Sequence, residues 1–586
     1  MINVPGALSS EILGEWAEDG FSSIDVLPDF DGDGRSDVAF GSRGSDQNGA
    51  SAGTVFVLYG AANLPPSIDL NASTPVLGKR IEGVAGSRTG FEVRALADIN
   101  GDGLGDLGIT AADAGRNAYV IYSSERILGS AFEAQPPARI GPTRFDLGRS
   151  PGTPWTNEPA LRPTRTVGDL NNDGRGDLVA DGYCLNGDCT ERVSMVALGS
   201  AALSVNTQQL TGRTGFVVLN AQRTSAAGNF NGDGFGDLLV QGNNRAMVLY
   251  GKVLQGRSVF PATVSLGVPG GPPRSPGTTE LRFAASTAIL REARGIGDFG
   301  GGPESDLLVT WCPFGCTFGS ERRARVVFGT PDRPSTLAVD NLSAGRFVDL
   351  TTANGVSLSM ASNMPLGDFG GDSKSDLALF INNDGVADPR TALIFGGASL
   401  PASIDPLTTA QGFRTTGPSP TITAVGRFTN GAKDDIAFDY FSGSVQIYRG
   451  RSGTPGDNLF PLVNSAVFGP QFSYCADSID LPPPSGLLSS ADLNGDGQLE
   501  LLLRSRGEGR ARSAGAAPWV RGRGVAWENR AYSVCNQTDP PALIVTGESQ
   551  AAQLVPIGDW DGDGKLDFVD LVRGLIYRGA AIPALP

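Results

Sequence analysis

Apolar residues along the chain come in short runs, and the same runs return. One set reads DVAF (37–40), DLLV (237–240) and DLAL (376–379). A second reads TVFVLY (54–59), AYVIY (118–122), AMVLY (246–250), ARVVF (324–328), TALIF (391–395), SVQIY (444–448) and GLIY (574–577), with VSMVAL (193–198) and GVAW (524–527) as weaker copies. Branched and aromatic residues bounded by Gly and Asn are strand signals. With 81 Gly and 39 Pro in 586 residues, the chain suits many short strands joined by turns rather than long helices.

A polar nonapeptide precedes each first run. It reads DFDGDGRSD from Asp29, DINGDGLGD from Asp98, DLNNDGRGD from Asp169, NFNGDGFGD from Asn229, DLNGDGQLE from Asp492 and DWDGDGKLD from Asp559. Three eroded copies lie between: DFGGGPESD from Asp298, DFGGDSKSD from Asp368 and RFTNGAKDD from Arg427. Starts recur every 59 to 71 residues, the mark of a repeat architecture rather than of unrelated domains. About four strands per repeat is the unit of a β-propeller blade. The expected fold is all-β, a single propeller of nine four-stranded blades over residues 1–586. Residues 10–29 align with 79–98, pairing Ile12 with Ile81 and Gly20-Phe21 with Gly90-Phe91. The chain therefore starts on an outer strand and ends just after a third strand, and pairing the two ends would close the ring and cover two strand edges.

Positions 1, 3, 5 and 9 of the intact loops carry oxygen side chains that a tight turn brings to one point, as a hard cation requires. The candidate ligands are Asp29, Asp31, Asp33 and Asp37; Asp98, Asn100, Asp102 and Asp106; Asp169, Asn171, Asp173 and Asp177; Asn229, Asn231, Asp233 and Asp237; Asp492, Asn494, Asp496 and Glu500; and Asp559, Asp561, Asp563 and Asp567. Position 7 varies (Arg35, Leu104, Arg175, Phe235, Gln498, Lys565), as expected if its backbone carbonyl binds. Gly at position 6 permits the positive φ of such a turn. Hard ligands without sulfur or imidazole favour Ca²⁺, at about six sites. One such loop could be an Asx-rich turn, but six at one period favour metal. An EF-hand would need Glu at position 12, where Phe40, Ile109, Ala180, Val240, Leu503 and Asp570 stand. The 298 and 427 loops have lost ligands and should stay empty; the 368 loop has Gly370 at position 3 and should bind weakly at best.

Charge and composition fit this reading. The net charge is −16, and six Ca²⁺ would bring it to −4. An acidic chain without a basic face repels nucleic acid. The absence of His removes Ser-His-Asp and Cys-His nucleophile systems, histidine zinc sites and histidine acid–base catalysis. No apolar stretch is long enough to insert in a membrane, and residues 1–20 show no secretion signal in this numbering.

The loops, each followed by a strand and then a Gly-preceded strand, resemble the FG-GAP repeats of integrin α-subunit heads and their bacterial relatives. The resemblance implies that each loop joins strands A and B of a blade, and that the oxygen ligands named above hold calcium. In integrin heads the face carrying the B–C and D–A loops, opposite the metal loops, also meets the ligand. Arg175-Gly176-Asp177 spells the integrin-binding tripeptide, but Asp177 is position 9 of a metal loop, so the match reads as coincidence.

Six Cys fall in pairs by proximity: Cys184 with Cys189, Cys312 with Cys316, and Cys475 with Cys535. Disulfides in an oxidising compartment are the better reading, with buried free thiols the alternative. The longest B–C loop, taken as 504–523, carries Arg504, Arg506, Arg510, Arg512, Arg521 and Arg523 beside Trp519. Arg binds carboxylate or sulfate bidentately, so this loop is the candidate ligand site; a solvated Arg/Gly loop is the bland reading. The function expected is an extracellular or cell-surface, or else periplasmic, calcium-stabilised recognition or adhesion module. It would be non-catalytic and bind a protein or acidic glycan. A polysaccharide lyase on a calcium-bearing propeller and a self-assembling structural subunit are the alternatives, and no catalytic constellation favours the lyase.

Overall fold

A computed structural model describes most of residues 23–123, 165–266, 277–351 and 368–406, with strand segments at 10–13, 134–135, 143–145, 357–359 and between 412 and 578. Among the described residues the strands form nine sheets, each with a core of four antiparallel strands. In the first repeat these are Ser23–Leu27, Asp37–Ser42, Thr54–Leu58 and Gly78–Glu82, called A to D here and in the other sheets. Val38 stands opposite Val26 on one side and Leu58 on the other. The architecture is that of a β-propeller.

The burial explains why these strands read as apolar runs rather than alternations. Every residue of Asp37–Ser42 and Thr54–Leu58 is buried, because strands B and C are covered on both faces by the neighbouring sheets. Strand D, Gly78–Glu82, exposes part of its surface and alternates more. The core accordingly lies between sheets. Leu27, Phe30, Val55 and Val57 pack with Val93, Leu107 and Ile109 of the second repeat. Phe230, Leu239 and Val248 of the fourth pack with Leu307, Val309 and Trp311 of the fifth.

The first strand of the chain belongs to the sheet of the last repeat. Ser10–Leu13 pairs antiparallel with Leu575–Tyr577, with Ser10 opposite Ile576 and Glu11 opposite Leu575. That sheet packs on the first repeat: Ile12, Val38, Phe40, Phe56 and Leu58 share one cluster with Ile557, Trp560, Val569 and Ile576.

Six of the nine sheets also carry a fifth strand, which sequence reading missed. It comes from the C–D connection of the following repeat and lies parallel to strand D. Ser67–Asp69 pairs with Ser10–Leu13, Thr263–Ser265 with Gly215–Leu219, Thr336–Ala338 with Thr278–Arg282 and Ser403–Ile404 with Phe347–Leu350. Each covers an outer edge that would otherwise present unpaired backbone groups. A signal was available: Pro-x-Ser/Thr-apolar recurs at Pro65-Pro66-Ser67-Ile68, Pro261-Ala262-Thr263-Val264, Pro334-Ser335-Thr336-Leu337 and Pro401-Ala402-Ser403-Ile404. The four apolar residues are all buried.

One strand expectation is corrected. Strand C of the eighth repeat is Ala516–Val520, paired with Glu500–Leu503 and Ala542–Thr546, not the GVAW run. Trp519 therefore sits in a strand, opposite Leu502 and Leu543, and the B–C loop closes before Ala516. Pro518 hid this strand, since Pro within a run argues against a central strand. The Glu500–Leu503 partner reaches only Trp519 and Val520, so Pro518 is paired on one side alone.

Candidate metal centres

Each nonapeptide turns between strands A and B, and hydrogen bonds to its own side chains shape it. In the first loop the Gly34 N–H donates to Asp29 Oδ2 (3.1 Å), Asp33 N–H to Asp31 Oδ1 (3.2 Å) and Arg35 N–H to Asp33 Oδ1 (2.9 Å). The same ladder recurs in the loop at 98, with Gly103 on Asp98, Asp102 on Asn100 and Leu104 on Asp102. Position 6 has positive φ in each described intact loop: Gly34 at 85°, Gly103 at 90°, Gly174 at 83°, Gly234 at 91° and Gly564 at 83°. Only glycine takes that conformation without strain.

Position 9 lies deepest. Asp37 Oδ2 accepts the N–H groups of Phe30 (2.6 Å) and Asp31 (3.2 Å), while Oδ1 accepts Gly60 N–H (2.8 Å). Burial pushes its carboxyl up to about 7, against the hydrogen bonds and with help from the Asp31 and Asp33 charges. Burial likewise raises Asp177 to about 7, and Asp106 and Asp237 to about 6. Asp177 is fully buried with both oxygens engaged by backbone N–H groups, so the Arg-Gly-Asp string is not presented to a receptor.

The donor set fits a hard cation. Oxygens of Asp29, Asp31 and Asp37 lie within 4.8 Å of one another, as do those of Asp559, Asp561 and Asp563. At position 1, Asp29 Oδ1, Asn229 Oδ1 and Asp559 Oδ1 are buried and accept no hydrogen bond. A desolvated oxygen without a donor is costly unless something positive meets it. In the 98 and 169 loops that oxygen accepts backbone N–H groups instead: Gly101 and Asp102 on Asp98, Asn171 and Asp173 on Asp169. Basic side chains stand at several rims, with Arg35 Nη1 2.9 Å from Asp33 and Arg333 Nη2 2.5 Å from Asp233.

The eroded copies divide. The 368 loop keeps the ladder through Asp372 N–H and Ser373 N–H on Asp368, and Lys374 N–H on Asp372. In the 298 loop, Gly300 bridges to Gly397, and a Cβ on Gly300 would stand 2.7 Å from the Gly397 carbonyl, so position 3 has no room for a ligand. The 427 loop, Asp492 to Gln498 and Lys565 lie outside the described residues. So do Arg504, Arg506, Arg510, Arg512, Arg521, Arg523, Cys189, Cys316, Cys475 and Cys535; Cys184 ends a strand B, and Cys312 is buried at the end of another.

Two further positions complete the site and went unread in the sequence. Position 2 is a buried apolar plug (Phe30, Ile99, Leu170, Phe230, Phe299, Trp560). The Gly that follows strand C donates to position 9 and is wedged between carbonyls of its own loop and of the preceding one. A Cβ on Gly60 would stand 2.5 Å from Trp560 O and 2.6 Å from Ser36 O. Its signal was the Gly ending LYG (58–60), ALG (197–199), LYG (249–251), VFG (327–329) and IFG (394–396).

Antiparallel four-stranded sheets, each with a loop joining strands A and B that is acidic in most repeats, make up a β-propeller. Residues 20–58 match the family model of the FG-GAP repeat, so the chain carries that repeat. No curated protein sequence matches significantly. Among solved structures, the chain is similar to BBS1N, crystallised in complex with ARL6DN (12% identity, 73% of this chain and 94% of that one, TM-score 0.25). It is also similar to the Dos1 propeller (10%, 84% and 93%, TM-score 0.28) and to the Bacillus licheniformis rhamnogalacturonan lyase PL11 (12%, 95% and 71%, TM-score 0.32). Among the described residues no helix is long and apolar enough to cross a membrane.

Proposed function

We propose that the chain is a calcium-stabilised recognition propeller: nine blades in one ring, closed by Ser10–Leu13, acting by binding rather than catalysis. The observation that carries the calcium reading is the set of buried position 1 oxygens, Asp29 Oδ1, Asn229 Oδ1 and Asp559 Oδ1, aimed into acidic loops without a donor. Ca²⁺ would be held by positions 1, 3, 5 and 9 with the position 7 carbonyl. It would supply the positive charge that lets these carboxylates stay together, and so fix the A–B corner of each blade. At a hundredfold excess over Kd, one site adds about 2.7 kcal/mol to the folded state. Calorimetry should find uptake of about six Ca²⁺, and chelation should lower Tm. Absence of uptake would overturn the reading.

With the metal loops as scaffold, recognition falls to the opposite face, where the B–C loops vary in length. The partner is a protein or an acidic glycan, and the setting is extracellular, with disulfides pairing the three sets of Cys. The Arg-rich connection that starts at Arg504 is the candidate contact. Because Arg521 and Arg523 follow strand C, the test takes three arginines of the B–C loop itself: Arg506→Glu, Arg510→Glu and Arg512→Glu together should abolish binding to acidic glycans or protein partners on an array run with Ca²⁺. Unchanged affinity and salt dependence would exclude this loop. Six free thiols in the unreduced protein by mass spectrometry would exclude the oxidising setting.

A further inference from the structure

We propose that the ε-ammonium of Lys374 is the resident cation of the 298–306 loop, a built-in replacement for a metal ion at the joint between the fifth and sixth repeats. Lys374 Nζ lies 2.8 and 2.7 Å from the two oxygens of Asp298 and 2.9 Å from the carbonyl of Gly302. These are positions 1 and 5 of the eroded loop. An ammonium has three N–H donors, and three acceptors meet them here. The pair is largely covered, with side-chain exposures of 18% and 27%.

The rest of the loop is built as in the intact copies. Asp306 at position 9 accepts the N–H groups of Phe299, Gly300 and Gly329. What it lacks is side chains at positions 3 and 5, where Gly300 and Gly302 stand. One positive charge is matched by the single position 1 carboxylate. A divalent ion would face too few oxygens in the same place.

Lys374 arrives there because it is position 7 of the following loop. Its own N–H donates to Asp372, while the next residue, Ser375, donates its N–H to the Asp298 carbonyl at 2.6 Å. Other position 7 side chains lean the same way but stop short of the carboxylate. Arg175 Nε reaches the Asn100 carbonyl at 2.9 Å, and Leu104 packs over Gly32. Among the described residues, Lys374 alone carries its charge onto the position 1 carboxylate of the preceding loop. The joint so made holds without calcium.

The test uses the full chain. In metal-free buffer, Lys374→Met should speed amide hydrogen exchange across 298–306 by about tenfold, an opening local to this joint. Native mass spectrometry should show one additional Ca²⁺ on the double variant Lys374→Met with Gly302→Asp, and none on Gly302→Asp alone. The new side chain has only the mobile end of Glu304 to displace. Unchanged exchange in Lys374→Met, or a Ca²⁺ gained by Gly302→Asp with Lys374 in place, would overturn the assignment. If the unaltered chain takes up no calcium, the reading of the intact loops fails, while the metal-free exchange comparison still decides the role of Lys374.

Discussion

The carboxylate of Asp37 accepts the backbone N–H of Gly60 at 2.8 Å, tying the acidic A–B loop to the residue that follows strand C. The same staple joins Asp177 to Gly199, Asp237 to Gly251, Asp306 to Gly329 and Asp376 to Gly396. Asp306 keeps it in a loop that has lost its side chains at positions 3 and 5. Position 9 is thus retained for holding the blade corner, whatever it adds to metal binding.

Asp306→Asn should therefore destabilise the protein although no metal is at stake. An amide group turns N–H donors toward backbone N–H groups that now share one carboxylate, leaving buried donors unpaired. The expected cost is about 2 kcal/mol, read from the urea midpoint. It should be equal in Ca²⁺ and in chelator. A cost that appears only with Ca²⁺ would mark Asp306 as a ligand instead.

The pH dependence of that difference has a definite sign. Burial pushes the Asp306 carboxyl up to about 7, above the value near 4 of an unfolded chain. The folded state holds its proton more tightly, so the stability this group contributes is full below pH about 4 and is lost as pH rises through about 7. The advantage of the unaltered protein over Asp306→Asn should shrink across that interval in metal-free buffer. A gap that widens with pH would show the carboxylate to be stabilised in its charged form.

Much of this was legible in the sequence, for physical reasons that also explain the omissions. The loops declared themselves because Asp31, Asp33 and Gly34 each have a chemical duty that few residues can perform. Strands B and C were readable because burial on both faces leaves them continuously apolar. The fifth strands were missed because Ser67–Asp69 and its counterparts are two or three residues long and bury a single side chain, too little for a periodicity. Their Pro-x-Ser/Thr-apolar signature emerges only when the C–D connections are compared with one another. Gly60 and its counterparts were hidden because a Gly after a strand reads as an ordinary turn, and its close contacts come from a different repeat.

Those close contacts compare the seam between the last and first repeats with an internal joint. A Cβ on Gly329 would stand 2.6 Å from both Phe230 O and Ser305 O, much as one on Gly60 would crowd Trp560 O and Ser36 O. Gly60→Ala and Gly329→Ala should each cost about 1–3 kcal/mol by overpacking. Similar penalties by chemical denaturation are expected. If Gly329→Ala costs stability and Gly60→Ala is silent, the seam stands open in solution.

The strand Ser10–Leu13 should hold that seam. Ile12 is buried at 2% exposure among Phe40, Trp560 and Ile576, and its strand lies between Leu575–Tyr577 and Ser67–Asp69, so three distant parts of the chain meet on four residues. Burying an Ile side chain stabilises by about 1.5–3 kcal/mol, and removing the strand would also bare two edges. Deleting residues 1–14 should therefore lower the melting temperature of the protein as a whole. In a closed ring the loss propagates, so hydrogen exchange should quicken even in Asp306–Cys312, far from the deletion in sequence. In an open arc the damage would stay near the ends. A truncated chain that melts like the full one, or that loses protection only in the first and last repeats, would overturn closure.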